Sequence, residues 1–218
     1  MCGIAGVLST DGAAGERSQL EAMATTLHHR GPDERGYFVD GPVGFAHTRL
    51  SIIDLSSGQQ PMSNRDGSVW LCYNGEVFNY LELKKELLDA GRRFATTSDT
   101  EVVLQLYEEH GDAFLSRMNG QFALAIWDQK RQRLLCARDR LGIRPLYYAL
   151  PAGLFVFGSE VKALFAHPAV HRAIDPLGLD EIFSFWCTHA PRTAYEGVHD
   201  LPPGCYLTVE KGTVSVRK

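Results

Sequence analysis

The run Phe122-Ala123-Leu124-Ala125-Ile126 has no polar face. Successive side chains of a strand point to opposite sides, so a strand of this composition must be covered on both. Any fold for the chain has to place an apolar layer above and below it. Residues 3–8 are apolar too, are closed by Ser9-Thr10-Asp11-Gly12, and read as a short buried strand. Further strands are predicted over residues 43–49, 68–73, 121–127, 134–138, 146–150 and 154–157, and residues 204–218 read as a hairpin turning at Lys211-Gly212. Helices are predicted after capping boxes at Ser18 (Leu20, Met23 and Leu27 inward) and at Ser98-Asp99-Thr100-Glu101 (Val102, Val103, Leu106, Tyr107). Asn79, with Glu82 three residues on, caps another whose apolar face is Leu83, Leu87 and Leu88, and Asp175-Pro176 opens one with Leu179, Ile182 and Phe183. Strands and helices come in blocks. That pattern points to α+β or a layered sandwich, not a doubly wound sheet.

A chain of 218 residues with 44% hydrophobic residues can build a sizeable core without staples. The formal net charge is -4 and the longest basic run is Arg92-Arg93, which argues against a duplex-binding surface. No apolar run reaches membrane-spanning length, and the start MCGIAGVLSTDG lacks the basic region of a secretion signal. Five cysteines (Cys2, Cys72, Cys136, Cys187, Cys205), an odd number with no C-x-x-C pair, fit neither a disulfide framework nor a zinc site and suit a reducing cytoplasm. The last four read as packing residues. His167 and His171 are four apart, a metal-holding spacing on a helix, but Pro168 lies between them and no third ligand is near. No metal is expected.

Cys2 follows the initiator Met1, and the small residues Cys2 and Gly3 favour removal of Met1. The new first residue would carry a thiol and a free α-amine together. An α-amine titrates near about 7.7–8.0, so part of it is neutral at physiological pH and can act as a base. A thiol is a few per cent thiolate under the same conditions. Nucleophile and base would then come from one residue. The plainer reading is a cysteine buried at the start of a strand.

Further motifs accompany it. Cys2-Gly3-Ile4-Ala5-Gly6 resembles the opening of the class II, N-terminal-nucleophile glutamine amidotransferases. His29-Arg30-Gly31-Pro32-Asp33-Glu34-Arg35-Gly36 resembles the RGPD-x-x-G loop of one branch, the glutamine-hydrolysing asparagine synthetases. So do Arg49-Leu50-Ser51-Ile52-Ile53-Asp54, Gln60-Pro61-Met62, Asn74-Gly75-Glu76-Val77-Phe78-Asn79-Tyr80, Thr97-Ser98-Asp99-Thr100-Glu101, Asn119-Gly120-Gln121-Phe122-Ala123 and the segment Arg138-Asp139-Arg140-Leu141-Gly142-Ile143-Arg144-Pro145. The likeness runs in order along essentially the whole chain. It implies one glutaminase domain over residues 1–218 with an α+β fold, a four-layer αββα sandwich of the N-terminal-nucleophile hydrolase type.

The resemblance also implies roles. Cys2 would attack the glutamine side-chain amide, and the Asn74 side chain and Gly75 backbone would donate to the resulting oxyanion. Asn-Gly between strands otherwise means a type I′ hairpin turn, which is what the residues alone favour. Arg49 would hold the α-carboxylate in a bidentate fork, against the reading of a surface strand arginine. Asp99 and Glu76 would receive the α-ammonium, although Asp99 also suits a helix first turn and Glu76 a solvated position. Leu50, Ile52 and Ile53 would complete the pocket, or else be plain core. Arg30 and Asp33 would buttress it, and Arg138, Asp139 and Arg144 would form an ion-pair scaffold beneath it.

A full asparagine synthetase of this family has a second domain that adenylates aspartate with ATP and Mg²⁺. No SGG-x-DS-like loop for it occurs here, and Val216-Arg217-Lys218 falls about where a linker to it would begin. The expectation is a domain without cofactor that hydrolyses glutamine and passes ammonia to a synthetase domain or subunit. Glutaminases serving another acceptor, or a non-catalytic glutamine-binding module, are the rivals. A homodimer stays open; nucleic acid and membrane are not expected partners.

Overall fold

The computed structural model describes residues 1–52, 54 and 57–218. Its strands are β1 (Gly3–Ser9), β2 (Glu34–Asp40), β3 (Val43–Arg49), β4 (Met62–Ser63), β5 (Val69–Val77), β6 (Gly120–Asp128), β7 (Arg133–Arg138), β8 (Tyr147–Ala149), β9 (Leu154–Gly158), β10 (Val198–Asp200), β11 (Tyr206–Glu210) and β12 (Thr213–Arg217). The helices are α1 (Arg17–Thr26), α2 (Tyr80–Asp89), α3 (Asp99–His110), α4 (Phe114–Arg117), α5 (Val161–Phe165) and α6 (Pro176–Phe185). Among the described residues the strands make two six-stranded antiparallel sheets, ordered β10-β8-β9-β1-β3-β2 and β12-β11-β7-β6-β5-β4.

Three apolar clusters mark the three interfaces of a four-layer stack. Leu20, Met23 and Leu27 of the α1 region and Ala163 and Leu164 of α5 pack on Ala5, Val7 and Ala46 of the first sheet. Ile4, Phe45, Phe155 and Phe157 of that sheet meet Ala123, Ala125 and Trp127 of the second. The outer face of the second sheet (Leu71, Tyr73, Leu124, Ile126) is covered by Leu83 and Leu87 of α2 and Val102, Val103 and Leu106 of α3. β6 is thus the strand with two apolar faces, and its alternation divides them: Phe122, Leu124 and Ile126 toward the helices, Ala123, Ala125 and Trp127 toward the other sheet. Each fully buried Leu, Ile or Phe contributes roughly 1.5–3 kcal/mol, so this central strand is a main source of cohesion.

Several local expectations need correction. α1 begins at Arg17 with Glu16 as its cap, and no side chain caps it; Ser18 lies inside the first turn. Asn79 does not cap α2 with its side chain, which instead accepts from Asn119 N at 2.9 Å and donates to Arg117 O at 3.1 Å. Long-range hydrogen bonds outcompeted the local one. Ser98 does cap α3, accepting from Thr100 N at 3.2 Å, but Glu101 turns to the amides of Ala95 and Thr96 rather than closing the box. Leu88 is exposed, as are Leu179 and Phe183 on α6, where only Gly178 is buried. Cys72 and Cys136 are packing residues in the inter-sheet core and Cys205, partly buried, packs against it, whereas Cys187 is exposed. His167 pairs with Gln19 Oε1 at 2.8 Å. The type I′ hairpin is found at Lys211-Gly212, both with positive φ, between the paired residues Glu210 and Thr213.

Candidate active site

Strand alternation decides which polar side chains meet. Ile4 and Phe45 point into the space between the sheets, so two-residue periodicity sends Cys2, His47 and Arg49 into the same space. On the facing sheet Cys72 points inward, and Asn74, two residues on, does likewise. β1 and β3 pair with Gly3 opposite Thr48, which brings Cys2 beside the end of β3. Residues dispersed from position 2 to position 144 thereby line one cleft at one end of the sandwich.

Cys2 Sγ is held by the main chain of Leu50, accepting from its N–H at 3.4 Å and lying 3.6 Å from its carbonyl. Burial pushes the thiol pKa up, opposed by the Leu50 N–H, the chain-terminal amine, Arg49 and Arg144. Met1 lines the same cleft. Burial lowers the pKa of its α-amine, and Arg30 and Arg144 lower it further, against Cys2 and Asp33. Arg30 braces this end of the chain: its Nε donates to Cys2 O at 3.0 Å and its Nη1 to Glu160 at 2.9 Å. Asp33 accepts from Ser51 N at 2.8 Å and steadies the loop after β3.

Asn74-Gly75 is not a turn. Both residues lie inside β5, opposite Ala123 and Phe122. The Asn74 side chain is 1% exposed, and among the described residues its Nδ2 has no hydrogen-bond partner. An unsatisfied buried donor costs about 1–3 kcal/mol, which an acceptor entering the cleft would return. Gly75 presents a second donor. Tyr73 and Val77 aim their N–H groups away from β6, at Gln60 Oε1 (2.7 Å) and Asp99 Oδ2 (3.2 Å). Phe122, opposite Gly75, uses its own N–H and C=O on Asp139. The repeat of the strand therefore turns the Gly75 N–H to the cleft side as well. Glycine is required there: a Cβ would meet Gln121 O at 2.4 Å and Phe122 Cα at 2.7 Å.

Arg49 is not a surface arginine; it is 4% exposed, with Nη1 on Glu34 at 2.9 Å and Nη2 on the Asp54 carbonyl. Asp99 is buried at the start of α3, and its Oδ2 accepts from Tyr73 OH at 3.1 Å as well as from Val77 N. Burial raises its pKa, against those hydrogen bonds and that of Thr100 N, while Glu76 adds repulsion. A buried carboxylate in this setting gains by meeting a cation. Glu76 and Ile52 are exposed at the cleft mouth and Leu50 is half-buried within it. Cys2, Arg49, Leu50, Ile52, Asn74, Gly75, Glu76 and Asp99 all line this one cleft; Ile53 lies outside the described residues.

The supposed scaffold of Arg138, Asp139 and Arg144 is built differently. Arg138 pairs with Asp200 at 2.7 Å, and Asp139 accepts from the amides of Leu141, Ile143 and Arg144, shaping a loop instead of an ion pair. That loop delivers Arg144 to the cleft. Gln60 and Tyr73 line it too and were not singled out. Gln60 and Arg144 both stood in the motifs quoted above, which is the signal that could have found them.

A thiol set between the two sheets of an αββα sandwich, beside an Asn74 Nδ2 that has no partner among the described residues, is the layout of the N-terminal-nucleophile class of folds. The sequence profile described as the glutamine amidotransferase domain matches residues 1–218, and the chain belongs to that family. It is 38% identical over 220 residues to asparagine synthetase [glutamine-hydrolyzing] 3 of Bacillus subtilis, covering 99% of this chain and 36% of that protein. It is 36% identical over 228 residues to amidase chyE of Penicillium rubens, covering 95% of this chain and 32% of that protein. Among solved structures, the glutamine phosphoribosylpyrophosphate amidotransferase from B. subtilis superposes with a TM-score of 0.72 at 22% identity, over 100% of this chain and 49% of the other; that likeness speaks to the fold. The chain spans about a third of the length of the curated relatives it matches.

Proposed function

We propose that the chain hydrolyses the side-chain amide of L-glutamine through Cys2. The observation that carries the reading is the seating of the Cys2 sulfur in one cleft with two main- and side-chain donors, a buried arginine and a buried aspartate. Glutamine offers a matching set: an α-carboxylate for Arg49, an α-ammonium for Asp99 and Glu76, and an amide carbonyl for Asn74 Nδ2 and Gly75 N–H. With Met1 removed, the α-amine of Cys2 takes the thiol proton as Sγ attacks the amide carbon. The C–N bond breaks as that proton passes to the leaving nitrogen, giving ammonia and a γ-glutamyl thioester. Water then cleaves the thioester, releasing glutamate and restoring the thiol. Anchoring both ends of the amino acid measures its length, and a substrate one methylene shorter loses about 10–200-fold.

We further propose that the ammonia is used by a synthetase region or subunit that amidates aspartate, as the names of the bacterial relatives support; its dependence on ATP and Mg²⁺ follows from the family resemblance of the sequence, and a cytoplasmic setting from the free cysteines among the described residues. Nearly equal similarity to a protein named as an amidase supports a shared glutamine-handling half with the acceptor selected elsewhere. Among the described residues no helix is long and apolar enough to cross a membrane. The test is glutamate release from L-glutamine by protein whose intact mass shows loss of Met1. Turnover that vanishes in Cys2→Ala is expected; unaltered turnover in that variant overturns the assignment.

A further inference from the structure

We propose that His47 is a positioning residue that ties the sheet bearing the nucleophile to the strand bearing the oxyanion donors, through the hydrogen bond from its Nε2 to the Tyr73 carbonyl. His47 is 1% exposed and sits on the inner face of β3, two residues before Arg49. Its Nε2 lies 3.1 Å from Tyr73 O on β5, across the space between the sheets. A carbonyl can only accept, so Nε2 carries the proton; Nδ1, with no partner among the described residues, is the bare nitrogen. Burial lowers the pKa to about 4, assisted by Arg49 and opposed by the Tyr73 carbonyl, so this single-proton form persists at neutral pH.

The bond matters because of where Tyr73 stands. Away from the cleft the inter-sheet layer is largely apolar, the other polar tie between β3 and β5 being the weak contact of the Cys72 thiol with Ala46 O at 3.5 Å, and apolar packing is non-directional: it holds the sheets together without fixing how far one slides over the other. A hydrogen bond weakens steeply off its axis. Tyr73 is clamped at three points, N–H by Gln60 at 2.7 Å, carbonyl by His47, hydroxyl by Asp99 at 3.1 Å. Asn74 and Gly75 follow directly along the strand. Of the three clamps only His47 comes from the strand that also carries Arg49 and borders Cys2. It therefore sets the distance from sulfur to oxyanion donors, and it does so without touching substrate.

This inference rests on the glutaminase reading above. Its test compares His47→Leu, which removes the donor, with His47→Gln, whose amide N–H can reach the same carbonyl. Both are made in Met1-free protein, with the fraction of active sites titrated by a diazoketone analogue of glutamine. Expected is a kcat per titrated site lowered about 10–100-fold in His47→Leu, since a displaced oxyanion donor forfeits part of the 10²–10³ lost on deleting one. KM should move less than about twofold, and His47→Gln should recover most of kcat. A merely structural role would reduce the titrated fraction and leave turnover per site alone. Should His47→Leu not fold, His47→Asn, one methylene shorter than Gln, takes its place and should be slow where Gln is not. Equal turnover per site in all variants, a loss confined to KM, or a Gln variant as slow as Leu or Asn overturns the proposal while glutamine hydrolysis by the wild type stands. Absence of wild-type turnover in Met1-free protein overturns both.

Discussion

Acidifying the wild-type protein from about pH 7 to about pH 5 should remove about 2 kcal/mol of folding stability through His47 alone, rising to about 3 kcal/mol near pH 4. The side chain is fully enclosed, and its pKa falls from 6.5 to about 4 on folding, first through burial and then through the neighbouring Arg49. A histidine with a depressed folded pKa contributes its full stability above the unfolded value and loses it as pH falls toward the folded one, because the unfolded chain binds the proton first. Below the unfolded pKa the loss accrues at about 1.36 kcal/mol per unit, which gives the figures above. Urea unfolding of wild type and His47→Gln at both pH values isolates the contribution, since Gln does not titrate. His167 and His199, also lowered by burial, are common to both proteins and cancel. With a urea dependence of about 2 kcal/mol per molar, the midpoint of the wild type should fall by about 1 M more than that of the variant. Parallel pH profiles for the two proteins would show that His47 protonates without penalty, and that the inter-sheet layer around it is wet or mobile.

Asn74→Ala should keep the thermal midpoint while lowering kcat for glutamine about 10²–10³-fold; a loss expressed only in KM would remove Asn74 from the oxyanion site. Gly75→Ala must push against Gln121 O and Phe122 Cα, so chemical denaturation should register a loss of about 1–3 kcal/mol, and an unchanged midpoint would mean that the strands separate easily. Asp99→Asn should raise KM for glutamine sharply while leaving stability equal or higher, because the amide oxygen can still accept from Tyr73 OH and Val77 N without the cost of a buried charge. Lowered stability with unchanged KM would make Asp99 a helix-start residue only.

Much of this protein is local. Apolar runs bounded by turn residues specify β1, β6, β7 and β9, because burial of alternating faces dictates strand chemistry wherever the run lies. The two-faced composition of β6 demanded cover on both sides, and the layers supply it. Motif likeness along the chain pointed to Cys2, Arg49, Asn74, Gly75, Glu76 and Asp99, and the fold gathers them into one cleft. Other features depend on what arrives from far along the sequence. Ser18 and Asn79 have capping chemistry, but the partners that occupy Asn79 lie about 40 residues on, beyond any local pattern. Asn74-Gly75 carries a hairpin signal that pairing with β6 overrides, since a continuous ladder on one side holds the strand straight through the dipeptide. Arg144 reaches the cleft only because Asp139 folds its loop. His47 acquires meaning only when the second sheet lays Tyr73 O against it. Composition and periodicity determine which faces are buried; the register and stacking of the sheets, set by contacts distant in sequence, decide which polar groups share the space between them.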